Sequence, residues 1–232
     1  MEACKRTDSE KSSHRRLPIS SRHALLALVV VGGAVWAQPA SNDEVTAGFA
    51  TLDAFLGDVH TLTAEFRQEL WTADQQLLQT ETGTLSLRRP NRFRWIYREP
   101  TELTIVADGS QIWIYDIELA QVTVAPLDAT VESSPAMLLS GDRSVRDDFD
   151  VVRTYTQDGL DWVKLAPKTA GADFMSVLIG FSGAAPQRIE LVDGLNQVTR
   201  IEFVDLAVNP VLDDAVFEFE PPAGVDVIGG EG

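Results

Sequence analysis

The sequence predicts a mainly β protein built on a large curved antiparallel sheet or barrel, with a few helices. Apolar and polar residues alternate in short runs between residues 62 and 206, and this period of two is typical of half-buried strands. Turn-forming pairs such as Asp158-Gly159 and Asp193-Gly194 separate neighbouring runs at hairpin spacing. Hydrophobic residues make up 44% of the 232 residues and charged residues 23%, which favours a packed core and disfavours wholesale disorder.

The first 37 residues have the pattern of a cleavable export signal. Six basic residues precede an apolar run over 24–37, and this run of 14 residues is shorter than the about 20 that a membrane span needs. Small residues near Ala37 suit signal-peptidase cleavage. A buried core helix is the alternative, which the upstream charges disfavour. We therefore expect a signal peptide over 1–37 and a single mature domain over 38–232.

Removal of this leader changes the charge and the cysteine content. The whole chain has 19 Lys and Arg against 35 Asp and Glu, a formal net charge of −16, and the predicted mature chain has 13 against 32, or −19. This acidity argues against nucleic acid as a partner and against docking on anionic lipid. Cys4 is the only cysteine, so an intrachain disulfide framework, a four-cysteine zinc site and an iron–sulfur cluster are excluded.

An amphipathic helix is predicted over 43–58. Its apolar positions follow steps of three and four, the spacing of one helical face; they are Val45, Phe49, Leu52, Phe55, Leu56 and Val59. Ser41 or Asn42 can cap the start of the helix, and the acidic residues that follow suit the positive end of its dipole. Such a helix needs a surface to cover.

The remaining predicted elements are strands and two short interruptions. The strands are expected over 62–70, 84–87, 92–97, 103–107, 112–115, 122–124, 151–157, 160–166, 174–181, 187–192 and 197–206. A helix of one turn or slightly more is predicted over 135–139, because Pro135 suits a first helical turn. The segment 213–219 is predicted as a final turn or edge strand.

The sequence carries no recognisable enzyme site. It contains no G-x-S-x-G nucleophile elbow, no Walker loop and no G-x-G-x-x-G. His60 is the only histidine beyond the leader, and the carboxylates at 147–150 and 213–214 read as solvated acids without EF-hand spacing. We expect a protein that is not an enzyme and that has no cofactor and no metal. An exported hydrolase remains the alternative from another functional class.

Large apolar side chains share faces of the predicted strands. Leu85 and Leu87 lie on one face of their strand, and Phe93 and Trp95 lie on one face of the next. A curved sheet has a concave face, so these residues line either a cavity or an ordinary core beneath the first helix. The pattern alone leaves both possibilities open.

Five arginines fall within residues 88–98. Arg92, Arg94 and Arg98 alternate with Phe93, Trp95 and Tyr97, which predicts a basic convex face behind the apolar one. Arg89 instead follows Leu87 onto the apolar face, at the end of its strand. A partly buried arginine there needs acceptors such as the carbonyls at a helix C-terminus, and a solvated strand end is the alternative.

Several segments in order resemble one known family. They are Arg89-Pro90-Asn91-Arg92-Phe93-Arg94-Trp95, Val106-Ala107-Asp108-Gly109 leading into Ile112–Asp116, Gln121-Val122-Thr123, 135–139 and 217–225. Together they make the chain similar, over nearly all of 43–228, to the periplasmic outer-membrane lipoprotein carriers of the LolA family. A periplasmic sensor module of the same fold is the main rival. It usually has an added C-terminal domain.

The resemblance implies an incomplete antiparallel β-barrel with a helical lid over an apolar cavity. The protein would bind acylated lipoproteins from an inner-membrane ABC-type lipoprotein-releasing complex and deliver them to an outer-membrane lipoprotein receptor, as a monomer in the periplasm. The implied acyl-chain contacts are Leu62, Phe66, Leu85, Leu87, Phe93, Trp95, Met137, Leu138 and Leu139.

Two further assignments concern the arginines and the lid. The resemblance implies that Arg89 bonds the backbone of the lid and keeps it closed. Arg92, Arg94 and Arg98 are candidates for partner docking, on the basis of the predicted basic face. Ala136 departs from the family pattern, since a larger aromatic residue is expected at that position of the lid.

Overall fold

A single twelve-stranded sheet forms the body of the protein in the computed structural model, which describes residues 42–127, 135–141, 145–169 and 174–229. The helices are α1 (Asn42–Asp58), α2 (Pro135–Ser140) and α3 (Val145–Asp148). The strands are β1 (Thr61–Trp71), β2 (Leu77–Arg88), β3 (Arg92–Glu99), β4 (Leu103–Asp108), β5 (Gln111–Asp116), β6 (Gln121–Pro126), β7 (Phe149–Gln157), β8 (Leu160–Pro167), β9 (Phe174–Ser182), β10 (Ala185–Asp193), β11 (Val198–Val208) and β12 (Asp226–Gly229). A 3₁₀ helix spans Asp214–Phe217.

The sheet is curved and does not close. Its strand order is β12-β6-β5-β4-β3-β2-β1-β11-β10-β9-β8-β7, and only β12 pairs parallel to its neighbour. Because β12 and β7 stand at opposite ends of this order, the architecture is an incomplete barrel, which confirms the predicted fold class. Each predicted strand is present, and most extend by one to several residues. Strand β12 and helix α3 were not predicted.

Cross-strand pairing places the predicted apolar residues side by side. Leu85 of β2 lies opposite Trp95 of β3, and Leu87 lies opposite Phe93. On the other side of β2, Leu62 of β1 pairs with Leu87. All five side chains are buried, so the period of two in the sequence identified the inner face of the sheet.

Helix α1 covers this inner face. The side chains that it contributes to the core are Phe49, Leu52 and Phe55, and Val59 follows directly after the helix. Near its start the helix lies against β7, where a side chain at Gly48 would meet Thr154 Cγ2 at 2.7 Å. The small residue at 48 therefore lets the helix approach the edge strand closely, while its other end reaches β2.

A second, smaller core lies on the convex face. Phe217 of the 3₁₀ helix is buried there against β3 and β4, and Val106 is buried on the same side of β4. Phe219 follows, with its ring centroid 5.8 Å from that of Trp113 and 6.0 Å from that of Tyr115. The C-terminal segment, residues 209–229, thus runs over the convex face before β12 pairs with β6.

No helix among the described residues combines the length and the hydropathy needed to cross a membrane.

Candidate functional site

The predicted acyl-chain contacts come together on the concave face of the sheet. The buried members of this set form one continuous apolar cluster; they are Leu62, Phe66, Leu85, Leu87, Phe93, Trp95 and Leu139. Leu138 is partly buried against the same cluster. Met137 lies within α2, but its side chain is outside the described residues. The structure thus brings the described members of this set together, and their contact with acyl chains stays a prediction.

Aromatic rings form the centre of this apolar face. The Phe66 centroid lies 4.8 Å from that of Trp95 and 5.2 Å from that of Tyr97. Phe203 of β11 adds a fourth ring, 6.4 Å from Trp95. Gly83 makes this packing possible, because a Cβ there would lie 2.6 Å from Cζ of Phe66. The ring of Phe66 thus lies directly across the backbone of β2.

Of the two possibilities for this face, the structure shows a packed core: the apolar side chains of the sheet lie buried under the helices. Phe55 of α1 packs on Phe181 at a centroid distance of 5.7 Å, and α2 packs on β2 and β3. In this conformation the described apolar side chains contact one another. A ligand that binds along them therefore requires α1 or α2 to move away from the sheet.

Arg89 links the end of β2 to the end of α1. Its backbone N–H donates to the His60 carbonyl at 2.9 Å, and its Nη1 donates to the Val59 carbonyl at 3.1 Å. The guanidinium Cζ lies 4.2 Å from the centroid of the Phe55 ring, within the range of a cation–π contact. This arrangement agrees with the expectation that carbonyls at a helix C-terminus would accept from Arg89.

The guanidinium of Arg89 is only partly satisfied. Its Nε and Nη2 atoms are buried and have no hydrogen-bond partner among the residues that the structure describes. Burial lowers the pKa of Arg89 to about 10, so the side chain keeps its charge at neutral pH. A buried charge with unpaired donors is costly, and this contact therefore holds α1 less firmly than a fully paired arginine would.

The turn after Arg89 contacts helix α2. The Asn91 backbone N–H donates to the carbonyl oxygen of Ser140, the last residue of α2, at 2.9 Å. Among the described residues the side chain of Arg89 bonds the end of α1 and not α2. One three-residue turn, 89–91, thus holds the ends of both helices that cover the apolar face.

The outward-facing arginines meet the C-terminal segment. Arg94 Nη1 donates to the carbonyls of Val216 and Glu218 at 3.2 and 3.3 Å. Arg88 bonds Asp214, and Arg92 Nη1 lies 3.7 Å from the same carboxylate. Of the three arginines predicted to dock partners, Arg98 is exposed, whereas Arg92 and Arg94 contact the chain's own C-terminal segment. The alternation of arginines with aromatic residues along β3 predicted that the arginines lie on the convex face. It could not show that the C-terminal segment covers part of that face.

The structure also locates the residues considered for catalysis. His60 is exposed in the turn between α1 and β1. Within the part of the chain that the structure describes, no group of three His, Cys, Asp or Glu side chains is placed to hold a metal ion.

Asp108, at the start of the β4–β5 turn, accepts several hydrogen bonds. Its Oδ1 accepts from the backbone N–H groups of Ser110 and Gln111, each at 2.8 Å, and its Oδ2 accepts from Trp113 Nε1 at 3.1 Å. Desolvation raises the pKa of Asp108, but these hydrogen bonds outweigh it and the pKa is lowered. The carboxylate shapes this turn.

Comparison with known proteins gives consistent matches. The family model described as "Outer membrane lipoprotein carrier protein LolA" matches residues 57–220. An outer-membrane lipoprotein carrier protein of Nitrosospira multiformis is 42% identical over 182 residues, covering 78% of this chain and 88% of that protein. A protein of the same name from Methylococcus capsulatus is 41% identical over 176 residues, covering 76% and 85%. Among solved structures, a LolA superfamily protein of Nitrosomonas europaea is similar with a TM-score of 0.46 and 12% identity, covering 76% of this chain and 98% of that chain.

Proposed function

The chain belongs to the LolA family of outer membrane lipoprotein carrier proteins, and from this premise we propose that it carries lipoproteins by covering their acyl chains. The single observation that supports the mechanism is the continuous apolar cluster on the concave face, which lies under two helices held at their ends by one turn. The role of a carrier is binding and release, so the protein acts without catalysis.

The chemistry of the cargo explains why such a face is needed. Each buried methylene contributes about 0.8 kcal/mol, so one chain of about 16 carbons is disfavoured in water by on the order of 12 kcal/mol. A lipoprotein cannot leave a membrane and cross an aqueous compartment unless its chains stay covered. The inner face, lined by Leu85, Leu87, Phe93 and Trp95, supplies apolar surface of the required kind.

Release is the second requirement, and the polar contacts at the helix ends serve it. The Arg89–Val59 and Asn91–Ser140 hydrogen bonds favour the closed state. Breaking a charged hydrogen bond and a backbone hydrogen bond costs on the order of 2–4 kcal/mol, which acyl burial offsets. The carrier therefore opens when it is loaded, and the closing contacts favour delivery without nucleotide hydrolysis by the carrier.

The wider route is part of the same proposal. The signal peptide is removed near Ala37 and the mature protein, residues 38–232, acts in the periplasm. It accepts cargo from an inner-membrane ABC-type releasing complex and delivers it to an outer-membrane receptor, as a monomer. Arg98 is the exposed docking candidate, and the side chain of Arg92 is 41% exposed beside its contact with Asp214.

The test is purification of the protein from the periplasm of cells that express an acylated lipoprotein and, separately, the same lipoprotein with its acylated cysteine replaced by serine. We expect mass spectrometry to detect the acylated form bound to the carrier and the serine variant to be absent. Recovery of both forms equally, or of neither, would contradict the proposal. Release of lipoprotein from spheroplasts on addition of the purified carrier provides an independent measurement.

A further inference from the structure

Besides Nε and Nη2 of Arg89, two buried side-chain atoms on the inner side of the sheet have no hydrogen-bond partner among the described residues. They are the indole Nε1 of Trp95 and the hydroxyl Oγ of Ser140, in residues that are 2% and 0% exposed. Buried polar groups in folded proteins are nearly always paired, and leaving one unpaired destabilises the protein. Two such atoms bordering the proposed cargo site therefore need an explanation.

Within the described part of the chain, no side chain or backbone group supplies an acceptor for the Trp95 indole N–H. Its nearest aromatic neighbours are Phe66, Tyr97 and Phe203, with ring centroids 4.8, 6.2 and 6.4 Å away. The one hydroxyl among them, on Tyr97, donates to Gln68 Oε1 at 3.4 Å. The indole N–H thus lies in an apolar environment on the inner face of β3.

Ser140 borders the same face from the helix that packs on it. It ends α2, which packs on β2 and β3, and its backbone carbonyl accepts from the Asn91 N–H. In the closed conformation that bond places Ser140 beside Asn91, the residue before β3, the strand that carries Trp95. Both unpaired groups can donate a hydrogen bond, and both border the apolar surface along which the proposed acyl chains lie.

An acyl chain differs from a plain alkyl chain by its carbonyl group, through which it forms an ester or an amide. When the chain is buried, the carbonyl oxygen loses its water and needs a donor. We propose that Trp95 Nε1 and Ser140 Oγ donate hydrogen bonds to carbonyl oxygens of the cargo's acyl linkages, so that the site selects acyl over alkyl chains. This inference rests on the proposed carrier function and adds its ligand specificity.

The test compares two synthetic ligands. One is a cysteinyl peptide with three palmitoyl chains; the other has hexadecyl ethers at the two glyceryl positions and so lacks both ester carbonyls. We expect the full mature protein to bind the ester form about tenfold more tightly, the effect of roughly one net hydrogen bond. Trp95→Phe and Ser140→Ala should each reduce this preference about threefold, because the proposal assigns one of the two hydrogen bonds to each group, and the double variant should abolish it.

A matched control is Trp113→Phe on the convex side. Its Nε1 already donates to Asp108 Oδ2 at 3.1 Å, so this variant should keep the full ester preference. Equal binding of the two ligands by the unaltered protein would overturn the inference and leave the carrier function standing. An unchanged preference in the double variant would also overturn it, whereas failure of both ligands to bind would contradict the carrier function itself. Ser140→Ala is the conservative arm should Trp95→Phe perturb the fold.

Discussion

Arg89 donates a hydrogen bond from Nη1 to the carbonyl oxygen of Val59 at 3.1 Å, and this contact joins the end of β2 to the end of α1. The same guanidinium lies over the ring of Phe55 on the buried side of α1. Two of its donor atoms, Nε and Nη2, have no partner in residues 42–127, 135–141, 145–169 and 174–229. This polar contact between α1 and the end of β2 is therefore specific in position but limited in strength, which suits the opening that we propose.

Replacing Arg89 by leucine tests this latch. Arg89→Leu removes the charged hydrogen bond to Val59 and also two buried unpaired donors, so we expect the unfolding free energy to change by less than about 1 kcal/mol. The open, loaded state should be favoured, and transfer of bound lipoprotein to acceptor membranes should slow. Arg89→Lys, which keeps the charge, should lie between. Equal transfer rates for the leucine variant and the parent would contradict the latch.

Gly83 should tolerate no side chain. A Cβ at this position would collide with the Ile96 carbonyl oxygen and lie 2.6 Å from Cζ of Phe66, so Gly83→Ala should lower the unfolding free energy by about 2–3 kcal/mol. Gly57→Ala is the matched control, because nothing lies within 4 Å of its added Cβ. In helix α1 that substitution should raise stability by about 0.5–1 kcal/mol. Denaturant unfolding measures both, and equal effects would refute the packing assigned to Phe66.

The C-terminal segment should contribute substantially to stability. Phe217 is buried on the convex face with the Arg88 guanidinium 5.1 Å from its ring centroid, and Phe217→Ala should cost about 3–5 kcal/mol. Phe219 is only partly buried, and Phe219→Ala should cost less. Unfolding by denaturant gives both values. A change below 1 kcal/mol at Phe217 would show that the convex core is not a stable part of the fold.

The pH dependence of stability should report on Asp108. The pKa of this carboxyl is lowered in the folded protein, so its contribution is present above the unfolded pKa near 3.8 and is lost as the pH falls through the lower folded value. Asp108→Asn should therefore destabilise the protein by about 1–2 kcal/mol at pH 7. The gap between variant and parent should narrow below pH 4. A gap that stays constant from pH 7 to pH 3 would contradict this assignment.

The local pattern of the chain predicted the inner face well. Side-chain alternation is a property of neighbouring residues in a strand, so the shared faces of Leu85 and Leu87, and of Phe93 and Trp95, could be inferred without knowing the pairing. The acceptor for Arg89 could be named by type, a helix C-terminal carbonyl, because its charge required one. That the acceptor belongs to Val59 depended on how α1 crosses the sheet.

The outer face was less predictable because its contacts join distant parts of the chain. Arg94 and Val216 are 122 residues apart, and Arg88 and Asp214 are 126 apart. The segment 209–229 has no clear period, and β12 has only four residues, so neither its course nor its pairing with β6 had a local signal. The predicted basic face is present, but at Arg94 it bonds the C-terminal segment, and the docking role of Arg92, Arg94 and Arg98 stays a prediction.

The most direct test of acyl binding on the concave face is to map where the chains touch the protein. A triacylated lipopeptide with a diazirine at the end of each acyl chain would be bound to the mature protein, irradiated, and the crosslinked residues identified by mass spectrometry. If the acyl chains bind on the concave face, we expect crosslinks on Leu62, Leu85, Leu87 and Phe93. These crosslinks should be lost when an excess of unlabelled lipopeptide is present. Crosslinks confined to the convex side, for example at Arg67, Arg188 and Glu202, would contradict it.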